Sequence, residues 1–155
     1  MGRIVVGIDG SASSKEALRW SADEAEWRGD VLHLVLVWDN PYRDMWLPSN
    51  PPGTDPLAHF RVALDRTVKA ILGEHPAVKV ETEVLEGHPA QVLVDQAKGA
   101  DMLVVGNRGH GGFAGALLGS VSFNCAAHST CPVVIVRDSK GRVADAGRRP
   151  GLDDG

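Results

Sequence analysis

The 155-residue chain has a formal net charge of −4, with 43% hydrophobic and 23% charged residues. That is the balance of one globular domain burying roughly 68–70% of its unfolded surface. No Lys/Arg run exceeds Arg148-Arg149, so no nucleic-acid partner is expected, because that would want a basic face. No apolar stretch approaches the ~18 residues of a membrane span, and no membrane partner is expected either.

Arg3-Ile4-Val5-Val6 opens directly into a strand over 4–8, which predicts a chain with no signal peptide. Ser13 or Ser14 can cap a helix running to about Arg28, with Ala17, Leu18, Ala22 and Ala25 on one face and Gly29 as its stop. Trp20 and Trp27, seven apart, share a helix face and read as packing residues. A second strand over 31–38 is apolar except at His33, as a strand covered on both faces should be. The loop over 39–56 carries Pro41, Pro48, Pro51, Pro52 and Pro56, and loops of such length are usually functional or mobile. Its Met45-Trp46-Leu47 cluster could cover a ligand or a partner.

Phe60, Leu64, Val68 and Ile71 place a second helix over 57–72. Val78, Val80, Thr82 and Val84 alternate with Lys79, Glu81 and Glu83, the pattern of a half-exposed edge strand. Pro89 suits the first turn of a helix ending near Gly99. A fourth strand over 101–105, a helix over 115–129 and a fifth strand over 132–137 follow. From Asp138 onward there are four glycines and mixed charge with almost no apolar residues, which predicts a disordered tail over 138–155. Cys125 and Cys131 have neither metal-site nor disulfide-framework spacing and read as reduced thiols of a cytoplasmic protein.

Five strands alternating with helices predict a doubly wound, Rossmann-like α/β fold, a single parallel sheet with helices on both faces. In the common order 3-2-1-4-5, strands 1 and 4 are neighbours whose connections leave to opposite faces. Ligands bind outside the carboxyl ends of strands at such a switch point. Asp9, Gly10 and Ser11, after strand 1, would therefore face Gly106, Asn107, Arg108 and Gly109, after strand 4.

The second of those segments continues through Gly111, Gly112 and Gly115 to Gly119-Ser120-Val121-Ser122, a spacing of G-x-x-G, nine residues, then G-S. Glycines allow close backbone approach and φ > 0. A helix start just beyond supplies orphan N–H donors and a positive dipole end, a setting that suits phosphate. Ser120 and Ser122 add hydroxyls. A flexible glycine loop with no ligand is the bland alternative. The G-x-x-x-x-G-K-[ST] motif is absent, and the G-x-G-x-x-A match at residues 109–114 follows the fourth strand without the acidic partner a dinucleotide site needs.

Asp9 is an oxygen ligand suited to Mg2+, or else the head of an Asx turn or cap beside Ser11. The backbone of Val37, at a strand end, could hold an adenine edge, or Val37 could be core. Arg108 could pair with phosphate or stand in solvent. His110 reads as a loop residue, and His128 as a favourable charge at a helix C-terminus.

The pattern G-x-x-G-x9-G-S, with Gly7-Ile8-Asp9-Gly10-Ser11 at the start, resembles the universal stress protein family over roughly 1–137. The segment 104–137 is especially close, including Gly111-Gly112-Phe113 and Cys131-Pro132-Val133-Val134. The resemblance implies the five-stranded fold and, for members with this glycine pattern, ATP binding. Asp9 would then lie near ribose and phosphates, through Mg2+, and Val37 would hold adenine. Gly106, Gly109, Gly119, Ser120, Val121 and Ser122 would surround ribose and phosphate. Asn107 stands where members often carry a small hydroxyl residue.

Two functional classes follow: a regulatory ATP-binding protein that acts through shape or an unknown protein partner, and a slow ATP-hydrolysing or phosphoryl-transfer enzyme. No P-loop lysine, catalytic-loop signature or base with a fixed partner is present, which favours binding. Pro132-Val133-Val134-Ile135-Val136 is apolar on both faces and last in the sheet. An open edge of that kind predicts a homodimer through 132–137, and the resemblance points the same way.

Overall fold

Residues 1–45, 53–109 and 118–138 are described by the computed structural model, and all five expected strands are among them. The elements are β1 (Arg3–Gly7), α1 (Ala12–Arg28), β2 (Val31–Trp38), α2 (Ala58–Leu72), β3 (Val80–Glu86), α3 (Pro89–Gln96), β4 (Met102–Gly106), α4 (Ser120–His128) and β5 (Val133–Val136). The strands form one sheet in the order β3-β2-β1-β4-β5, every pair parallel. Among the described residues no helix is long and apolar enough to cross a membrane.

Period-two alternation sorts the strand side chains into two cores. Ile4, Val6, Leu32, Leu34 and Val104 face α1 and α2, meeting Ala17, Leu18 and Leu64. Val5, Val35, Leu103 and Val105 face the other way, onto Leu93, Val94 and Cys125 of α3 and α4. The central strands β1, β2 and β4 are buried on both faces, hence their continuous apolar runs. β3 is the edge its alternation implied, with Glu81 and Thr82 exposed and Val84 buried.

His33, the polar exception in β2, is 8% exposed. Its Nδ1 lies 3.2 Å from Arg3 Nη1, and its Nε2 lies 3.0 Å from Glu83 Oε2. A guanidinium only donates, so Nδ1 accepts and Nε2–H donates to the carboxylate. Arg3 also donates to the carbonyls of Gln96 and Lys98 at 3.1 Å each. Three strands are tied through one imidazole, and Arg3 adds the end of α3.

Some boundaries differ from expectation. The α1 cap is Ser11, not Ser13 or Ser14: Ser11 is extended (φ −67, ψ 159) and its side chain accepts from Ser14 N–H. Ser13 and Ser14 already lie in the first turn. β3 starts at Val80 rather than Val78, which packs against the core beside it. α3 ends at Gln96, before the left-handed turn at Gly99 (φ 77). α4 starts at Ser120 because Gly119 is extended (φ −75, ψ 170). Trp20 packs on the core, whereas Trp27 is 84% exposed, so only one tryptophan of the expected pair is a packing residue. The expected tail from 139 onward, Trp46 and Leu47 of the loop cluster, His110 and the glycines at 111, 112 and 115 lie outside the described residues.

Candidate functional site

β1 and β4 lie side by side in register, Val6 against Val104. The chain leaves β1 for α1 on one face and leaves β4 for α4 on the other. The gap between those departures is a cleft of about 310 Å³ at the carboxyl ends of the strands, within the range of small-molecule sites.

The β1 side is an ordered turn. Asp9 Oδ1 accepts Ser11 N–H at 2.9 Å and the Ser11 hydroxyl at 2.5 Å, the Asx turn that the sequence allowed. Gly10 sits between them at φ 83, a left-handed backbone that glycine adopts without steric cost. Ser11 then caps α1 by accepting from Ser14 N–H at 3.3 Å. One carboxylate oxygen is thereby committed to the turn. The other faces Gly109, where an added Cβ would lie 2.7 Å from Asp9 Oδ2.

The β4 side is held from beneath. Gly106 lies so close to α1 that an added Cβ would meet Ser13 Oγ at 2.3 Å and the backbone of Ser13 and Ser14 at 2.7 Å. Asn107 N–H donates to the Val136 carbonyl at 2.9 Å, and the Asn107 carbonyl accepts Gly119 N–H at 2.7 Å. The Ser13 hydroxyl donates to the Arg108 carbonyl at 2.6 Å, while Arg108 N–H approaches the same oxygen at 3.4 Å. Among the described glycines of the motif, Gly106, Gly109 and Gly119 have no positive φ. Gly106 and Gly109 make the expected close approach, while the left-handed turn that the glycines also allowed is made at none of the three.

The expected residues divide accordingly. Asp9, Ser11, Val37, Gly106, Arg108, Gly109, Gly119, Ser120, Val121 and Ser122 line the cleft. Gly10 and Asn107 do not: Gly10 shapes the turn, and Asn107, 7% exposed, is a backbone junction between β5 and α4. Ser122 is 2% exposed, with the Asn107 carbonyl 2.9 Å and the Gly119 carbonyl 3.1 Å from its Oγ. Its single proton braces the loop, leaving Ser120 as the exposed hydroxyl at the helix start. Asp9 and Arg108 are the charged side chains among the described lining residues.

The opposite wall is apolar, built from Ile8, Val35, Val37, Pro89 and Leu93. Pro89 was expected only as the first turn of a helix, and Leu93 escaped the sequence reading. Their signal was the i, i+4 spacing of α3 immediately after a strand end. On the buried face of α4, burial pushes the Cys125 thiol up to about 11, so it is a packing residue at neutral pH. His128 stands in the last turn of α4, as expected.

The fold is matched by known proteins. The Universal stress protein family matches residues 1–137. A universal stress protein of Mycolicibacterium smegmatis is 38% identical over 138 residues, covering 86% of this chain and 45% of the relative. The chain spans about half the length of the curated relatives it matches first. Among solved structures, a universal stress protein in complex with cAMP is 32% identical at a TM-score of 0.62, covering 88% of this chain and 96% of that one. UspA from Lactobacillus plantarum, at 22% identity and a TM-score of 0.70, covers 88% and 97% and shares the fold. On its fold, its glycine-bearing cleft and a family match running from residue 1 to 137, the chain belongs to the universal stress protein family.

Proposed function

We propose that the cleft binds an adenine nucleotide, ATP with Mg2+, and that the protein acts by binding rather than turnover. The observation that carries this reading is the polarity of one cavity. Its wall of Val35, Val37 and Leu93 suits a planar apolar base, and its far end gathers Arg108, Ser120 and the start of α4. The first N–H groups of a helix have no intrahelical partner and attract anions. Asp9 Oδ2 would hold the metal, since Oδ1 is taken by Ser11. Mg2+ would neutralise the phosphates beside that carboxylate. The 32%-identical neighbour in complex with cAMP supports a nucleotide in this fold.

Three further readings belong with it. The domain is 1–137, with 138–155 outside it. The compartment is the cytoplasm, in keeping with the free thiols Cys125 and Cys131. The assembly is a homodimer through 132–137, whose output passes to a protein partner through nucleotide-dependent shape.

Acid release from freshly purified protein, followed by chromatography, identifies the ligand directly. ATP is expected. At about 100 times its dissociation constant, Mg-ATP adds about 2.7 kcal/mol to stripped protein, a melting shift of roughly 5–10 °C. Identical melting curves with and without Mg-ATP would overturn the reading.

A further inference from the structure

We infer that Ser13 is a positioning residue of the cleft: through its hydroxyl, the first turn of α1 sets the loop that would meet the phosphates. The inference rests on the nucleotide reading of the same cleft. Ser13 does not line the cavity, and it is 2% exposed. Its Oγ nevertheless takes both main-chain groups of Arg108, donating to the carbonyl at 2.6 Å and receiving the N–H at 3.4 Å. Each terminus of this bridge lies beside a group facing the cleft. Ser14 follows Ser13 on α1 and Gly109 follows Arg108, and both line the cleft, as Arg108 itself does.

The fit around Ser13 is close from the other side as well. A Cβ on Gly106 would sit 2.3 Å from Ser13 Oγ, so the glycine is what allows the hydroxyl to reach past β4 to the loop. The loop is then fixed at two successive residues from three elements. The Asn107 carbonyl is held by Gly119 N–H at 2.7 Å and by the Ser122 hydroxyl at 2.9 Å, Asn107 N–H by Val136, and Arg108 by Ser13. Ser122 and Gly119 tie the loop to α4. Ser13 ties it to α1, across the switch point. Without Ser13 the loop keeps its α4 side and loses its register against Asp9.

A buried serine whose bonds go to backbone could equally be a fold element, so the test must separate geometry from stability. Ser13→Ala is compared with the natural chain in titrations with Mg-ATP and with adenosine, which lacks phosphate. Amide exchange of the 106–109 segment is followed in nucleotide-free protein. A single positioned hydrogen bond predicts about a tenfold loss for Mg-ATP. Adenosine affinity should be unchanged, and exchange at Arg108 should be faster. Ser13→Cys, of similar shape with a weaker donor, should fall between. Unchanged Mg-ATP affinity in Ser13→Ala overturns the inference, as does an equal loss for both ligands with a lowered melting temperature. A natural chain that binds neither ligand overturns the nucleotide reading itself and the binding role of Ser13 with it. Unaltered exchange at Arg108 would separately refute the brace.

Discussion

At Gly106 the end of β4 touches the start of α1 with no room for a methyl group. The nearest atoms to an added Cβ are Ser13 Oγ at 2.3 Å and two backbone atoms at 2.7 Å. Backbone cannot swing aside as a side chain can, so Gly106→Ala should cost about 1–3 kcal/mol of overpacking. Gly119 is different: its nearest neighbours stand at 3.4–3.6 Å, an ordinary contact, and Gly119→Ala should fold with little loss. Thermal melting of the two variants checks the contrast. Gly106→Ala should melt several degrees lower than Gly119→Ala, and equal melting temperatures would contradict the packing account. The motif spacing announced that these glycines matter, but not how. Close approach depends on which segments the topology brings together, and Ser13 lies more than ninety positions from Gly106 in sequence. The same distance hid Ser13 itself, which the sequence offered only as a possible helix cap.

Strands and helices were largely legible because their periodicities differ and their punctuation is strong. Gly29 (φ 74) ends α1, and Pro89 opens α3. Ser11 outcompeted Ser13 as cap because the Asx turn at Asp9 had already placed its hydroxyl over the helix end, a local preference that helix periodicity alone does not rank. β5 carries the consequence that reaches furthest. All four of its residues are part-exposed, and among the described residues its outer edge has no strand beside it. An apolar edge left open invites pairing with another chain, and two copies about a two-fold axis would close both edges at once. Light scattering at micromolar concentration should give twice the 16.5 kDa chain mass. A monomer at that concentration would refute pairing through β5.

For the molecule as a whole, the order β3-β2-β1-β4-β5 makes one cleft from segments about a hundred residues apart. That joining was legible, because strand–helix alternation fixes the switch point before any side chain is placed. The α3 wall was not, since Leu93 enters the cleft only through helix packing. That packing is set partly by the Arg3 bonds to the Gln96 and Lys98 carbonyls. In the proposed nucleotide complex, Gly119 and the start of α4 face phosphate. Calorimetric titration of stripped protein with Mg-ATP, in the natural chain and in Gly119→Glu, tests it most directly. A carboxylate about 4 Å from phosphate costs about 4 kcal/mol at an effective dielectric of 20, roughly a thousandfold in affinity. Saturable binding is expected for the natural chain, and its loss in a variant that keeps its circular dichroism. Equal affinity in a folded Gly119→Glu, or no binding by the natural chain, would contradict it.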